Sequence, residues 1–348
     1  MRFPIFLLLA SCAHQPSATQ LEAAPSLPAP QGRTFARSPG IPSDPAVARL
    51  VAGVRWDTAL SGAAGGLGVE ASLGAVTYQP WEIREAAWRA GYPFPIRQVR
   101  AWATPKAAEP PAELLAWLAT VQEGTDLGLV RTRSPEGDTW VALTAAPRIS
   151  LPPFPREARV SGELRFPVMP GAKLVWTDPV GGFGELDLGS ERVVPLHTPG
   201  CWLVEVRDAE GVAARFPVWV GMSAPDLRLY DLPDLPTEPG PRAEVLLDEV
   251  RALSNRDPWT RDATLDLIAA MRLADSTAAL VPALERLGYD ASRTGSWSCE
   301  ATTLEACLDQ VLWRPEGRRV VLAPEGVAGF AVDVSSGAVR LLGLVAPE

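Results

Sequence analysis

Imidazole is nearly absent from this chain. His14 and His197 are its two histidines, and His14 falls in a proline-rich stretch, so His197 stands alone in the part that can fold. A Ser-His-Asp arrangement or a multi-histidine metal site therefore lacks a second partner. His197 and Cys201 are four residues apart, but Thr198-Pro199-Gly200 between them reads as a turn rather than a ligand frame. The glycine-containing run 62–68 has neither a preceding strand nor the Lys-Ser/Thr ending of a phosphate loop. Glu82 and Glu85 are expected on a solvated helix face. The chemistry left open is a pair of carboxylates gathered by the fold, because a glycosidase-like arrangement leaves no trace in spacing. No catalytic residue, metal ligand or cofactor is assigned from the sequence.

Three cysteines lie in the body of the chain: Cys201, Cys299 and Cys307. Cys299 stands just before an expected helix that carries Cys307, which permits a disulfide across a short loop; the other reading is two buried thiols. Export would favour oxidation. Cys201 is then left over, and its place in an apolar strand favours burial over reactivity.

The elements that would position these groups follow from length and pattern. With 348 residues, 47% hydrophobic and 21% charged, the chain is long enough for two or three globular domains. Its 32 Lys+Arg and 41 Asp+Glu give a net charge of −9 with the cations scattered, which excludes the basic footprint of a nucleic-acid surface. The axis of the chain is 156–222, where short alternating runs at 160–166, 174–177, 183–188, 193–196, 201–206 and 213–220 are punctuated by Gly and Pro. That spacing predicts an antiparallel sandwich of immunoglobulin-like type, bounded at 149–222.

On either side lies a stretch of helices followed by strands. In 44–148, Asp44-Pro45 opens one helix, Pro80 and Gly91 bracket a second, and a third begins near Pro111 and ends by Gly124. Strands at 127–132 and 139–145 follow. Residues 223–240 read as a surface connector. In 241–348, Pro241 opens a helix, Leu265, Ile268, Ala269 and Leu273 mark a second, and Gly288 ends a third. Thr303 and Glu305 open a fourth, with Leu304, Cys307, Leu308, Val311 and Leu312 on one face. Strands are expected at 319–322, 329–334 and 338–345. Pro45 and Pro241, Gly91-Tyr92 and Gly288-Tyr289, and Trp102 and Trp297 keep nearly one offset, which predicts an internal repeat. Gly128 and Gly329 drift from it, as a loop insertion would cause.

The start of the chain carries its most specific motif. Met1-Arg2, a short apolar run, then Leu9-Ala10-Ser11-Cys12 resembles the lipobox of bacterial lipoproteins. The resemblance implies cleavage between Ser11 and Cys12, a diacylglycerol on the Cys12 thiol and acylation of the new amine, leaving 1–11 as signal peptide. Several acyl chains make such an attachment durable where one is marginal. Ala13 in place of Asp resembles the outer-membrane sorting pattern. Residues 12–43, rich in Pro, Ser, Ala and Gln, then read as a disordered tether of reach about 30 Å.

The segment Trp313-Arg314-Pro315-Glu316-Gly317-Arg318, continuing to Gly329, resembles the C-terminal part of bacterial CAP domains, the superfamily of cysteine-rich secretory, antigen 5 and pathogenesis-related proteins. Pro315, Glu316, Arg318 and Gly329 keep that frame, while Gly317 stands where the family has a histidine. The family's second histidine and its Gly-Glu-Asn acid are missing, with Gly295-Ser296-Trp297 in the latter place. The resemblance implies a degenerate member with a vestigial cleft at Trp297, Glu316, Gly317 and Arg318. Apart from it, Trp297 and Trp313 are read either as core or as lining a groove for glycan or lipid. The whole then reads as a multi-domain α+β protein: two CAP-like αβα lobes flanking an immunoglobulin-like β-sandwich. The expected role is a non-catalytic, lipid-anchored protein of the bacterial envelope acting as a scaffold or ligand- or partner-binding module, in the outer membrane with its body in the periplasm or at the surface. Its expected partners are the bilayer through acylated Cys12, and envelope proteins or cell-wall polymer. A wall-polymer or peptide hydrolase using carboxylates in one lobe is the alternative.

Overall fold

A computed structural model describes residues 34–72, 77–105, 109–135, 137–225, 230, 232, 234–323, 326–335 and 337–347. Ser11, Cys12, His14 and the tether up to residue 33 lie outside the described residues.

The N-terminal lobe runs β1 (Thr34–Phe35), α1 (Pro45–Leu50), β2 (Arg55–Trp56), α2 (Thr58–Ser72), α3 (Pro80–Ala90), β3 (Ile96–Thr104), α4 (Ala112–Leu118), β4 (Asp126–Arg133) and β5 (Asp138–Ala145). Asp44 caps α1, accepting the Ala46 amide with Pro45 in the first turn, and Gly91 closes α3 in the left-handed region that glycine enters without strain. The sheet order is β2-β4-β5-β3, parallel between β2 and β4 and antiparallel elsewhere. Val47, Val51 and Leu114 bury against Leu127, Leu129 and Trp140 on one face. Leu60, Ala63, Ala64 and Leu67 of α2 cover Val141 and Leu143 on the other, giving three layers.

The middle module comprises β6 (Phe154–Pro155), β7 (Glu157–Ala158), β8 (Gly162–Phe166), β9 (Lys173–Thr177), β10 (Phe183–Asp187), β11 (Arg192–Leu196), β12 (Gly200–Asp208) and β13 (Gly211–Val220). One sheet has the order β10-β9-β12-β13-β7 and a second pairs β11 with β8. Leu164, Phe166, Val194 and Leu196 of the smaller sheet share a core with Leu174, Val204 and Val206 of the larger.

The C-terminal lobe runs α5 (Pro239–Leu253), β14 (Thr260–Arg261), α6 (Ala263–Ala274), α7 (Leu280–Arg286), β15 (Gly295–Ala301), α8 (Leu304–Leu312), α9 (Pro315–Val321), β16 (Val327–Asp333) and β17 (Val339–Ala346). Its sheet, β14-β16-β17-β15, repeats the first lobe's order and senses strand for strand. Leu265, Ile268 and Ala269 pack on Leu342 and Leu344, while α5 and α8 cover Phe330 and Leu341 on the opposite face. Among the described residues no helix is long and apolar enough to cross a membrane.

Several expectations are corrected. Residues 34–38, expected in the tether, are packed, while Pro39, Gly40, Ile41 and Ser43 stay exposed: β1 pairs with β6, and Phe35 is buried against Phe216 at 5.1 Å. The glycine run 62–68, outside the expected helices, is the middle of α2; a Cβ at Gly68 would stand 2.7 Å from Thr132 Oγ1 of the sheet. Besides the two-residue strands β1, β2, β6, β7 and β14, two longer strands, β3 and β15, differ from the expected set. Both are edge strands with charged or polar side chains at many positions, which hides their alternation. Residues 319–322 form the end of α9 and the turn after it, not a strand; Pro315 at the first helical position starts the turn, and a short apolar run does not distinguish helix from strand. The connector is anchored, with Tyr230 only 5% exposed, and α5 begins at Pro239 rather than Pro241. The tryptophan equivalence also shifts. Gly128 opposite Leu143 matches Gly329 opposite Leu344, so Trp102 opposite Trp140 matches Cys299 opposite Leu341, and Trp297 matches Arg100.

Candidate functional site

The residues with the most unusual surroundings lie where the three bodies meet. Arg84 on α3 is the hub. Its guanidinium sits 4.7 Å from the Trp88 ring and 5.2 Å from the Trp313 ring, pairs with Asp309 of α8, and lies 3.8 Å from Glu85. Helical spacing places Trp81, Arg84 and Trp88 on one side of α3, so one face delivers both rings and the charge. Tyr230 packs edge-on against Trp81 at 5.4 Å and donates to Asp309 at 3.4 Å. Burial, then the Asp309 charge, raises the phenol well above its ordinary value, so it stays a donor. Glu82 and Glu85 are not on a solvated face: Glu82 accepts the Gln79 amide in a capping box, and Glu85 is half-buried beside Arg84.

The middle module contributes Glu205, fully buried between Arg207 and Arg215. Arg207 reaches on to Glu316 of α9 at 2.6 Å. The Trp88 indole donates to the Arg215 carbonyl at 2.8 Å, and the Arg215 amide donates to the Pro93 carbonyl at 2.9 Å, which ties α3 and the start of β3 to β13. A buried carboxylate shared by two guanidinium groups keeps its charge satisfied without water.

Beside this network is a cavity of about 350 Å³ between α3, β3 and β13. Its walls are mainly apolar, with Ile83, Trp88, Phe94, Ile96, Val99 and Val212 prominent, and its charged lining residues are Arg84, Arg97 and Arg215. No serine, cysteine, histidine or carboxylate is among the residues that line it. It can therefore hold a ligand by burial and positive charge, but its lining lacks a side chain able to act as nucleophile or general base at neutral pH.

Of the four residues expected to mark a vestigial cleft, Glu316 and Arg318 meet the middle module, and Gly317 and Trp297 pack within the C-terminal lobe. Trp297 is 5% exposed and covers Gly343, where an added Cβ would strike the indole. Gly317 lies so close to α8 that a Cβ would stand 2.6 Å from the Val311 carbonyl oxygen. Arg318 is buried and donates to the Cys201 carbonyl at 3.2 Å and to Ser254 Oγ at 3.1 Å, joining α9 to β12 and to the end of α5. Glu316 is half-exposed and engaged with Arg207. Trp313 is buried in the hub. Cys299 and Cys307 form a disulfide between β15 and α8, with Cα atoms 5.2 Å apart. Cys201 is a buried thiol, and burial pushes its pKa up, the opposite of a reactive cysteine. His197 is exposed beyond β11.

Gathered carboxylates do occur in the N-terminal lobe. Asp126 is buried and accepts Arg37 Nε at 2.9 Å, Arg37 Nη2 at 2.7 Å, Arg55 Nε at 2.5 Å and Tyr92 Oη at 2.9 Å. Asp57, also buried, accepts the Ser38 amide at 2.6 Å and the Leu60 amide at 2.9 Å, and burial raises its pKa. Four donors saturate Asp126, and Asp57 is committed to the entry of α2. The second lobe keeps a reduced version in which Tyr289 donates to Asp262 at 2.7 Å and Asp262 caps α6. Among the described residues no group of three or more His, Cys, Asp or Glu is placed to hold a metal ion.

The sequence singled out neither Arg84, Arg97 nor Arg215. The available signal was Trp81-x-x-Arg84-x-x-x-Trp88, an arginine set between two large apolar residues on one helical face. Compared with known protein families, with curated proteins and with solved structures, the chain matches none of them.

Proposed function

We propose that this protein is a non-catalytic, lipid-anchored component of the bacterial envelope that binds a ligand or partner, with acylated Cys12 holding it to the membrane, outer by its Ala13, and its body in the periplasm or at the surface. The body is read as two αβα lobes of duplicated plan, the second a degenerate relative of CAP domains, set on an immunoglobulin-like module. The repeated strand order of the two lobes supports the duplication. Binding rather than turnover is carried by one observation: the junction cavity is lined by apolar side chains and arginines and by no nucleophile or base. Scaffolding is supported by the continuity of the core, which passes from α3 through the middle sheets to α8 and would hold both lobes in fixed relation.

The test of the anchor is metabolic labelling with tritiated palmitate in a bacterial host. Label should enter the native chain and the chain should sediment with membranes; Cys12→Ser should abolish both. Unlabelled native protein recovered in the soluble fraction would sink this reading. The wall-polymer or peptide hydrolase alternative draws on Asp57, the buried carboxylate with a raised pKa in the N-terminal lobe. Because Asp57 also holds the entry of α2, cleavage of a wall fragment that disappears in Asp57→Asn with the unfolding midpoint unchanged would put it first.

A further inference from the structure

The cavity's charge is one-sided. Arg84, Arg97 and Arg215 line it and no acid does. Arg84 is met by two carboxylates, Asp309 and Glu85, and Arg215 by Glu205, which it shares with Arg207. Arg215 spends its Nε on Glu205, and its two terminal nitrogens make no hydrogen bond among the described residues. Burial, together with Arg84 and Arg314 nearby, holds the Arg215 guanidinium below its ordinary range even though Glu205 touches it. Arg97 has no ion-pair partner among the described residues. It occupies a bulge: Ile96 faces Ala145 and Gln98 faces Thr144, so Arg97 is the extra residue in β3. A bulge of this kind redirects a side chain, and Arg97 is exposed and among the residues that line the cavity.

The remaining lining suits a sugar poorly. A glycan needs many donors and acceptors in register, whereas the neutral polar side chain here is Gln98, whose Oε1 already accepts the Trp117 indole at 3.1 Å. Rings and aliphatic groups surrounded by guanidinium forks suit a planar anion on an apolar body. We propose that this cavity binds a small amphiphilic organic acid, its acyl or aromatic body among Trp88, Phe94 and Val99 and its carboxylate against Arg97 and Arg215. This deepens the binding role proposed above and rests on that reading of the cavity, not on the anchor.

The experiment is calorimetric titration of the complete chain carrying Cys12→Ser with decanoate, with uncharged decanol, and with acetate. Decanoate should saturate one site at least about tenfold more tightly than decanol, the scale of one charge-assisted contact, and acetate should show no binding. Arg97→Gln, at an exposed position that leaves the core intact, should weaken decanoate about tenfold and leave decanol unchanged. Val99→Trp should remove both by filling the space. Absence of saturable decanoate binding, equal affinity for decanol, or indifference to Arg97→Gln would each overturn the proposal. Failure of palmitate labelling with decanoate binding intact would remove only the anchor; intact labelling without decanoate binding would remove only this ligand class.

Discussion

Gly128 and Gly329 hold the same position in the two lobes. Each lies on the strand after the lobe's last crossover, directly beneath the first turn of a helix, Gly128 under Leu60 and Ser61 and Gly329 under Leu265 and Asp266. A Cβ at either would collide with helix backbone. The next residues repeat the match: the Leu129 amide donates to Ser61 Oγ at 3.3 Å and the Phe330 amide to Asp266 Oδ1 at 2.7 Å. One helix-on-sheet contact has thus been built twice from the same residue positions.

Gly128→Ala and Gly329→Ala should each therefore be severely destabilising, because backbone cannot yield as a side chain can. The expected cost is about 3 kcal/mol apiece, at the upper end for overpacking. Denaturant midpoints measured on the two variants check this, with Gly66→Ala as the control: nothing stands within 4 Å of its added Cβ, and helix propensity favours alanine there. Equal midpoints for Gly128→Ala and Gly66→Ala would refute the close approach.

The contrast between these glycines explains what could be read from the chain. Pro45, Gly91, Gly288 and Thr303 announce helix ends through local chemistry, and each stands at or beside the expected boundary. In the middle module β8 and β11 were legible by alternation, and β12 and β13 as apolar runs that are buried almost throughout. The glycines of 62–68 carried the opposite local signal, since Gly65 and Gly68 face β4 and β5 rather than a turn. The site failed to show for a related reason. Arg84, Glu205 and Asp309 are distant in sequence, and their charges look like ordinary surface residues until three bodies close over them. The duplication was visible only as scattered offsets, and strand register was needed to align Trp297 with Arg100.

The Cys299–Cys307 bridge closes a loop of eight residues between an edge strand and the helix that covers it. Chain entropy alone gives such a short loop a stabilisation of about 2 kcal/mol. The double variant Cys299→Ser, Cys307→Ser should lower the unfolding midpoint accordingly, and dithiothreitol should lower the native protein to the same value without affecting the variant. A native midpoint insensitive to reductant would show that the bridge contributes nothing.

Asp333 should carry an acid-side signature. Hydrogen bonds from Ser335, with Arg340 beside it, hold its carboxyl down to about 2. Because the folded value lies below the unfolded one, the contribution to stability is complete above the ordinary carboxylate range and is lost as pH falls through about 2. Asp333→Asn should flatten the stability profile between the ordinary value and that limit and leave the neutral-pH slope alone. Carbon-detected titration of Asp333 gives the direct check, and a midpoint near that of a free aspartate would refute the assignment.

Arg318 and Glu316 stand two residues apart on α9 and should answer mutation very differently. Glu316 pairs with Arg207 at a half-exposed site, where water competes, so Glu316→Gln should change stability by about 0.5 kcal/mol or less. Arg318 is buried without a carboxylate, its charge spread over the Leu312 and Cys201 carbonyls, Ser254 Oγ and the face of Trp313 at 5.4 Å. Burial lowers its pKa, yet a guanidinium remains protonated, so those acceptors, with the more distant charge of Asp178, offset its desolvation. Arg318→Met keeps the bulk but leaves three buried acceptors unmatched, an expected loss of about 3 kcal/mol. Arg318→Lys should recover part of it, since an ammonium can serve some of the acceptors but not the whole fork. Because these bonds run from α9 to β12 and to the end of α5, the Met variant should also expose the boundary between the middle module and the C-terminal lobe to limited proteolysis. Retention of native protease resistance alongside a lowered midpoint would confine Arg318 to holding α9 alone.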